Sequence, residues 1–445
     1  MEITKSQIDK LIIAGKTKEV FKLKGDNNYV FVYSKDRITA GDGAKSHAME
    51  GKAKLSTQTN CAIYEFMTAA GIETHFVSRV AEGSPDWDRS FIAKQCDMIP
   101  IEWVCRRVAT GSYLKRHPNV KEGYRFAPPK LETFFKDDEN HDPFWSLETL
   151  IEAGLVCGGL KIGKIEVEEM LRVTQTVFEV IERVWSTLNH SLIDLKIEFG
   201  VIEEAGKKKI VVGDVIDNDS WRLWPDGDKR LMLDKQVYRN MDNSTIDEDA
   251  IKAVKAKFVT VAERTQALFG SMIPKPREKG LPSPPPEVGI ILGSMSDMEH
   301  ATKIKKTLSS KYGINDVEIH VCSAHKSTEA TLAVVASLMQ WPTCQVIIAC
   351  AGRSNGLGPV SSGNTTVPVI NCPPISDSAT LSNDLWSSMR LPSGVGCSTI
   401  LGPENAALAA AHIIANLSPF TWARIRAQQT YTIVKMLHDD ASIVA

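Results

Sequence analysis

The chain has 445 residues, with 52 lysines and arginines against 54 aspartates and glutamates, and 43% of its residues are hydrophobic. This composition is typical of soluble globular proteins and excludes collagen-like, largely disordered and coiled-coil chains. The formal net charge of -2 provides no overall electrostatic attraction for nucleic acid or an anionic membrane. No apolar run is long enough to span a bilayer, and the length predicts two or three domains.

Cysteine usage and the N-terminal sequence indicate the cellular compartment. The nine cysteines are odd in number and include no Cys-x-x-Cys pair, which argues against a disulfide framework and against structural zinc. The N-terminus has no apolar segment followed by a small-residue cleavage site. We therefore expect a cytoplasmic protein with no nucleic-acid partner and no membrane partner.

The first 270 residues predict a domain in which strands and helices do not alternate regularly. Residues 20–23 and 29–33 flank a turn-rich segment and are typical of a β-hairpin. Two more strands are predicted at 192–199 and 209–216, around a short charged connection. This mixture favours an α+β fold.

Charged side chains in these strands are candidates for a phosphate and metal site. Lys16 and Lys18 are predicted on one face of the first hairpin strand, where both could reach a polyphosphate; the alternative is a pair of exposed strand lysines. Glu198 and Asp214 are predicted on neighbouring strands, with Asp214 near the middle of its strand, and carboxylates beside phosphate oxygens suit Mg²⁺. An ion pair between Lys196 and Asp214 is the alternative there.

The first domain resembles the SAICAR synthetases over nearly its full length. The resemblance is carried by AGKTKEV, SKDRITAGDG, MIPIEWVCRRVATGS, DLKIEFG and DVIDNDSWRLW, in this order. Enzymes of this family use ATP and Mg²⁺ to join L-aspartate to the carboxylate of carboxyaminoimidazole ribonucleotide (CAIR). The resemblance therefore implies a synthetase domain with an ATP-grasp-like fold.

The same resemblance assigns roles to residues of this chain. Arginines in the segments 106–112 and 217–222 present planar guanidinium groups, which suit phosphate or carboxylate. The assigned residues are, for ATP, Lys16, Lys18 and Met98; for CAIR, Arg106, Ser112 and Arg222; and for the metal, Glu198 and Asp214.

The proline-rich stretch 271–286 predicts a linker between a domain at 1–270 and a second domain at 287–445. Beyond it the pattern changes, because short apolar strands alternate with helices. The predicted strands are 288–292, 317–321, 345–349 and 367–370, with helices from Met298 and at 328–339. This alternation predicts a three-layer, doubly wound parallel α/β sheet, which binds ligands at the carboxyl ends of its strands.

Three loops follow predicted strand ends and are rich in glycine and serine. The first precedes a helix whose free N–H groups favour an anion, although Ser296 or Asp297 could instead simply cap that helix. His325 in the second loop is a candidate for proton transfer, with a purely structural histidine as the alternative. The site suits a small phosphorylated metabolite. The loops are residues 293–297, 323–326 and 351–359.

The second domain resembles the phosphoribosylaminoimidazole (AIR) carboxylases of purine biosynthesis. The resemblance is carried by GSMSD, SAHK, AGRSNGLGP, SGNTT and PSGVGC. Bacterial mutase relatives have arginine in place of Lys326 and a histidine in the third loop, whereas this chain resembles the animal type, which uses free CO2 without ATP or biotin. The resemblance implies carboxylation of AIR to CAIR without a cofactor.

Residue roles and an assembly follow from this second resemblance. Carboxylases of the family form octamers, so the helix predicted at 420–437 is expected to pack on a neighbouring subunit. The predicted catalytic residues are His325, Lys326 and Ser354. The residues expected to bind AIR or CO2 are Ser294, Ser296, Asp297, Ser323, Gly352, Arg353, Asn355 and Gly356.

The two resemblances imply consecutive steps of one pathway, and their fusion suggests passage of CAIR between the sites of a homo-oligomer. Two alternatives belong to other classes of protein. One is a nucleotide-binding scaffold whose catalytic ability has decayed. The other is an unrelated, kinase-like phosphotransferase in the first half.

Overall fold

The computed structural model describes residues 1–41, 44–242, 246–275, 284–375 and 381–444. The chain forms two compact units, of which the first contains Met1–Ile273 together with Arg426–Ala445, and the second contains Pro274–Ile425. The boundary falls in the predicted linker, of which residues 276–283 lie outside the described part. Residues 426–444 group with the first unit, whereas the sequence predicted one domain from 287 to 445.

Strands and helices of the first unit do not alternate regularly. Among the described residues its strands are β1 (Ile8–Ala14), β2 (Lys18–Leu23), β3 (Asp26–Ser34), β4 (Arg37–Ala40), β5 (Lys45–Ala48), β6 (Phe76–Arg79), β7 (Ser90–Lys94), β8 (Asp97–Met98), β9 (Ile101–Val108), β10 (Arg125–Phe135), β11 (Phe144–Trp145), β12 (Val156–Cys157), β13 (Leu160–Lys161), β14 (His190–Glu204), β15 (Lys207–Gly213) and β16 (Trp221–Pro225). Its helices before the linker are α1 (Lys52–Ala70), α2 (Ser112–Arg116), α3 (Leu147–Glu152), α4 (Lys164–Ser186), α5 (Gln236–Asn240) and α6 (Glu248–Met272).

Two antiparallel sheets dominate this unit. The strand order is β1-β2-β3-β7-β6 in one and β11-β10-β9-β14-β15 in the other, where β8 and β16 also pair with β14. The predicted hairpin is β2-β3. The strand predicted at 192–199 lies in β14, and the strand predicted at 209–216 overlaps β15 but extends three residues beyond its end at Gly213. The α+β prediction is therefore confirmed, while its ATP-grasp-like part stays a prediction.

Strand β14 separates the core of the first unit from its polar face. Side chains alternate along a strand, so residues two apart share a face. Ile193, Leu195 and Ile197 are buried among apolar residues, and helix α4 packs against this strand. Asp194 and Lys196 belong to the opposite set, which lines a cavity. The alternation therefore places charged groups at the cavity and leaves the core apolar.

The second unit alternates strands and helices as predicted. Its strands are β17 (Val288–Leu292), β18 (Val317–Val321), β19 (Val346–Cys350), β20 (Val369–Asn371) and β21 (Ser398–Thr399). The helices beyond the linker are α7 (Met298–Tyr312), α8 (Thr328–Met339), α9 (Leu357–Gly363), α10 (Leu381–Met389), α11 (Pro403–Ile414) and α12 (Pro419–Val444). The strands are all parallel in the order β18-β17-β19-β20-β21, so the parallel α/β prediction is confirmed.

Two apolar clusters lie on opposite faces of this sheet. Alternate residues such as Ile290 and Ile348 pack with α7 and α11. Their neighbours Ile291 and Ile347 pack with α8 and α9. Burial on both faces explains why these strands are continuously apolar in sequence, and it produces the three layers that the sequence predicted.

The last part of helix α12 packs on the first unit. Arg426 Nε donates to Glu179 Oε2 at 2.7 Å, and the buried hydroxyls of Thr430 and Thr176 lie 2.6 Å apart. These contacts explain why residues 426–444 group with the first unit. They lie within one chain, whereas the sequence predicted packing on a neighbouring subunit.

In the described ranges of the chain, no helix combines the length and the apolar character needed to cross a membrane.

Candidate active sites

The first unit contains a cavity of about 830 Å³ beside strands β9, β14 and β16. It brings together most of the residues that the sequence assigned to ATP, CAIR and metal. Met98 is not among its lining residues; it lies on β8, paired with Gly200 of β14. The assigned residues that line the cavity are Lys16, Lys18, Arg106, Ser112, Glu198, Asp214 and Arg222.

Lys16 and Lys18, the two candidate phosphate-binding lysines, lie at the tight turn between β1 and β2. Strand β1 ends at Ala14 and β2 begins at Lys18, so Lys16 is a turn residue and the prediction that both lysines share a strand face was wrong. The turn forms because the Gly15 N–H donates to the Lys18 carbonyl at 2.8 Å. Lys16 Nζ lies 3.0 Å from Asp138 Oδ1, and Lys18 Nζ lies 3.9 Å from Asp217 Oδ2.

The two candidate metal carboxylates share one ammonium group. Lys196 Nζ lies 2.6 Å from Glu198 Oε1, 3.2 Å from Asp214 Oδ2 and 3.5 Å from Glu102 Oε1. Lys136 Nζ donates to the other Glu198 oxygen at 2.8 Å. The ion pair between Lys196 and Asp214 that the sequence left as an alternative is therefore present.

Asp214 is not in the middle of a strand, as the sequence predicted, but follows the end of β15 at Gly213. Its φ is +56°, a left-handed conformation that aspartate tolerates better than most residues. This turn directs the carboxylate towards Lys196, and the register pairs Glu198 with Gly213 of β15. The two carboxylates therefore meet although they lie on different elements.

Burial and charge oppose each other in this cluster. Burial favours the neutral form of Lys196, but Glu198 and Asp214 outweigh it and hold the pKa of the ammonium well above its usual value. Burial likewise raises the pKa of Glu198, yet Lys196 and Lys136 together lower it. Lys196 and Glu198 are therefore both charged at neutral pH.

The chemistry of these donors suits a divalent cation. Within the described ranges, no cluster of three or more His, Cys, Asp and Glu side chains is arranged to hold a metal. Mg²⁺, however, binds through one or two carboxylates and completes its shell with water and substrate phosphate oxygens. The carboxylates of Glu198 and Asp214 line the same cavity as Lys16 and Lys18, so the fit to a magnesium-bound polyphosphate is good.

The candidate CAIR-binding arginines are joined by a buried carboxylate. Arg106 Nη1 donates to Asp194 Oδ2 at 2.8 Å, and Arg222 Nη1 donates to the same oxygen. Gly111, with φ +59°, allows this arrangement, because a Cβ there would lie 2.6 Å from Arg222 Nη2. Ser112 follows directly and begins α2, so the three assigned residues are close together.

Sequence reasoning missed a second charged cluster at the same cavity. Lys52, which is almost fully buried in α1, lies 3.0 Å from Asp219 Oδ2, and Lys235 lies 3.4 Å from the same oxygen. Burial raises the pKa of Asp219, but Lys52 and Lys235 outweigh it and hold that pKa well below its usual value. The aspartates of the segment 217–219 were a signal for this cluster, whereas Lys52 carried none because lysine at the start of a helix is ordinarily exposed.

In the second unit, the three predicted loops meet at the carboxyl edge of the sheet. A Cβ on Gly293 would lie 3.2 Å from the Cβ of Ala351, so the first loop touches the third. A Cβ on Gly356 would lie 2.7 Å from His325 Nε2, so the second loop touches the third. The structure therefore brings together the residues that the sequence placed on separate segments.

The polar groups of the first two loops remain open to ligands. Ser294 Oγ accepts hydrogen bonds from the Ser296 N–H at 3.3 Å and from the Ser296 hydroxyl at 3.0 Å. Asp297 precedes α7 but makes no side-chain capping bond, so the capping alternative is not observed for this residue. His325 and Lys326 are exposed, in a turn closed by the Lys326 N–H and the Ser323 carbonyl at 3.1 Å.

The third loop presents mainly backbone to the edge of the sheet. Arg353 has φ +58°, and Ser354 is exposed while Gly352 is half-buried. The Asn355 side chain is buried, and its amide nitrogen donates to Ser388 Oγ at 2.9 Å. The side chain of Asn355 is therefore engaged inside the protein.

Comparison with known proteins agrees with both sites. The SAICAR synthetase family model matches residues 11–255, and the AIR carboxylase family model matches residues 287–433. A bifunctional phosphoribosylaminoimidazole carboxylase/phosphoribosylaminoimidazole succinocarboxamide synthetase of Drosophila melanogaster is 46% identical over 98% of this chain and 96% of its own length. The multifunctional protein ADE2 of Gallus gallus is 47% identical over 98% of this chain and 97% of its own length.

A solved structure resembles the first unit. The phosphoribosylaminoimidazole-succinocarboxamide synthase of Ehrlichia chaffeensis is 25% identical and has a TM-score of 0.50, covering 58% of this chain and 99% of its own length. The matches to the bifunctional relatives run from end to end, and the two family models match in the same order as the two units. The chain belongs to the family of bifunctional phosphoribosylaminoimidazole carboxylase/succinocarboxamide synthetases.

Proposed function

We propose that this chain catalyses two consecutive steps of purine biosynthesis. The second unit carboxylates AIR with CO2 to give CAIR, and the first unit joins L-aspartate to CAIR with ATP, giving SAICAR, ADP and phosphate. The observation that carries this proposal is the end-to-end match to bifunctional relatives in a chain that has a separate polar site in each unit. A decayed scaffold and a kinase-like phosphotransferase are both disfavoured by that match.

In the carboxylase unit, the electron-rich ring carbon of AIR attacks CO2, and that carbon must then lose its proton. The first loop, with Ser294, Ser296 and Asp297, would hold the ribose phosphate. His325 beside Gly356 is our candidate for accepting the ring proton, and Lys326 would lie near the new carboxylate. CO2 and the new carboxylate would contact the backbone of residues 352–356, whose glycines permit close approach. No cofactor is required for these steps.

In the synthetase unit, the carboxylate of CAIR is a poor electrophile until it is phosphorylated. Transfer of the γ-phosphoryl group from ATP makes an acyl phosphate, and the amine of aspartate then attacks its carbonyl carbon while phosphate leaves. Lys16 and Lys18 would bind the phosphates of ATP, and Arg106, Ser112 and Arg222 would hold CAIR. Their role is to position the reactants and to neutralise charge.

The carboxylates of Glu198 and Asp214 would hold the Mg²⁺ that accompanies ATP. The bound ion would supply charge neutralisation at the transferring phosphoryl group. Lys196 and Lys136 lower the pKa of Glu198 and so keep it ionised, and Lys196 also forms an ion pair with Asp214. The backbone near Met98 remains our candidate for the adenine ring.

The protein is further proposed to be a cytoplasmic homo-oligomer, an octamer built through its carboxylase units. Large exposed apolar side chains on the second unit support an interface there. Trp341, Trp386 and Leu417 are 44%, 57% and 71% exposed. Light scattering after gel filtration measures the number of subunits in the assembly. Passage of CAIR between sites is tested by adding external unlabelled CAIR and measuring how far it dilutes the label in the product.

A two-stage assay tests the proposed function. Purified protein is mixed with AIR and bicarbonate, and ATP, Mg²⁺ and aspartate are added later. We expect carboxylation in the first stage and ligation in the second stage alone. Lys326→Ala should impair carboxylation but not the ligation of supplied CAIR, and Glu198→Ala should impair ligation only, because the two residues belong to different units. Carboxylation that requires ATP, or a product without aspartate, would contradict the proposal.

A further inference from the structure

The third loop of the carboxylase unit contains a backbone conformation that its neighbours must hold. Arg353 has φ +58°, in the left-handed region that a residue with a Cβ adopts at an energetic cost. Such residues persist where surrounding contacts fix them, and they concentrate at functional sites. Ser354, which follows Arg353, is one of our proposed catalytic residues, so the groups that fix this conformation also fix its position.

Ser387, in the last turn of α10, bridges the loop on both sides of Ser354. Its hydroxyl oxygen accepts a hydrogen bond from the Asn355 N–H at 3.0 Å. It also lies 2.8 Å from the Arg353 carbonyl and 2.9 Å from the Asp384 carbonyl, to either of which it can donate. One side chain therefore links the residues before and after Ser354.

Ser388 supports the same loop from inside the protein. Its buried hydroxyl accepts a hydrogen bond from Asn355 Nδ2 at 2.9 Å, and the other end of the Asn355 amide accepts from the Gly358 N–H at 3.3 Å. The Ser388 carbonyl accepts from Asn371 Nδ2 at 3.3 Å. The loop is thus connected to strand β20 and to helix α9 through buried polar groups.

We propose that Ser387 and Ser388 are positioning residues that shape the CO2 subsite of the carboxylase. The proposal rests on the function proposed above and extends it to residues that do not touch the substrates. CO2 is small and carries no net charge, so its orientation depends on the exact placement of nearby backbone groups rather than on ion pairs. AIR carries a phosphate, which the charged and hydroxyl groups of other loops can hold independently of α10.

The test is a comparison of Michaelis constants for the full-length protein. We expect Ser387→Ala to raise the KM for CO2 about tenfold while the KM for AIR changes by less than about twofold. Ser387→Thr keeps the hydroxyl and should restore the wild-type value. Ser382→Ala is the matched control, because Ser382 is exposed on the same helix. Ser388→Ala provides a second variant, and thermal unfolding shows that each variant is folded.

The possible outcomes separate this proposal from the function on which it rests. Equal changes in the constants for AIR and CO2, an unchanged Ser387→Ala enzyme, or the same effect from Ser382→Ala would each overturn the positioning role. If Ser387→Ala does not fold, a wild-type KM for CO2 in Ser388→Ala overturns it. Absence of AIR carboxylation in the wild-type protein would instead reject the proposed function.

Discussion

Lys196 organises the synthetase cavity as a half-buried ammonium group among carboxylates. It and Lys136 supply two positive charges, while Glu102, Glu198 and Asp214 supply three negative charges. The cluster therefore carries one net negative charge in a partly desolvated environment, where electrostatic interactions are stronger than in water. A cluster with this balance attracts a cation, which agrees with the proposed magnesium site.

Replacement of this lysine should affect both stability and one activity. We expect Lys196→Met to lower the free energy of unfolding by about 3 kcal/mol, because it leaves the buried carboxylate of Glu198 with Lys136 as its one remaining ion-pair partner among the described residues. Ligation should be lost while carboxylation is kept, and denaturant unfolding with the two-stage assay measures both. Lys209→Met is the control: Lys209 pairs with Glu204 at the surface, and its loss should cost less than about 1 kcal/mol. Equal effects of the two substitutions would contradict the assignment.

Asp234 should produce a pH dependence of stability. Burial raises its pKa to about 6, against the lowering effect of N–H groups from Gln236 and Leu223. The folded protein therefore keeps the proton at pH values where the unfolded chain has lost it, so this contribution to stability is complete below pH ~4 and is lost as the pH rises through about 6. Asp234→Asn should remove this decline, measured as unfolding free energy between those pH values.

A control for this prediction is an aspartate with the opposite shift. Hydrogen bonding from Arg230 lowers the pKa of the exposed Asp228 to about 2. Its contribution is therefore present above the unfolded pKa and disappears only in stronger acid. Asp228→Asn should leave the slope above pH ~4 unchanged, and a flattened slope in this variant would count against the role given to Asp234.

At the scale of elements, a close contact with strand β20 fixes the position of helix α9. A Cβ on Gly358 would lie 1.5 Å from Asn371 Oδ1, and the Asn371 side chain is fixed by the Ser388 carbonyl and by Cys397 Sγ. The helix can pack at this distance because residue 358 has no side chain. Helix α9 directly follows the proposed CO2 loop, so the position of this helix also determines where the loop ends.

This contact predicts a large effect from one methyl group. Gly358→Ala should lower the free energy of unfolding by about 3 kcal/mol, because neither the helix nor the buried amide can move freely. Gly363→Ala, in the same helix, is the control: the nearest atom to its Cβ lies 3.8 Å away, so that variant should be nearly neutral. Thermal unfolding and carboxylase activity measure the effect, and tolerance of alanine at 358 would show that the helix can shift.

The elements differ in how well the sequence predicted them. Strands 288–292 and 317–321 and helix 328–339 were predicted with their observed bounds, because apolar periodicity and flanking turns are local signals. Lys16 and Asp214 were misplaced by a few residues, since the ends of strands depend on turn hydrogen bonds and on left-handed residues that periodicity does not reveal. Lys52 and Ser387 were missed because their roles arise from contacts with distant segments.

At the scale of the whole molecule, the first unit is built from two separate parts of the chain. Residues 426–444 contribute Arg426, Thr430 and Tyr431, which bond to Glu179, to Thr176 and to the Glu73 N–H at 2.8 Å. Glu179 and Thr176 lie in α4, and Glu73 lies shortly before β6, so all three partners belong to the first 273 residues. The unit that carries the synthetase cavity is therefore completed by the end of the chain.

Removal of that segment should weaken the first unit. We expect a fragment of residues 1–273 to unfold at a lower temperature than the first unit of the full chain, because Thr176 loses its buried partner. Addition of a peptide with the sequence 419–444 should raise the unfolding temperature of the fragment, and the same peptide with Arg426→Ala and Thr430→Val should do so less. A fragment as stable as the intact unit would refute this expectation.

The grouping of residues 426–444 with the first unit has a consequence for how the protein can be divided. A cut in the linker separates the two family matches, at 11–255 and 287–433, cleanly along the sequence. The same cut gives the synthetase half without its final helix, and gives the other half an amphipathic segment that has lost its binding surface. A synthetase half that is made separately, in the laboratory or from a split gene, would therefore expose the surface of α4 around Thr176 and Glu179. Substitutions at that surface would be needed to compensate for the missing residues 426–444.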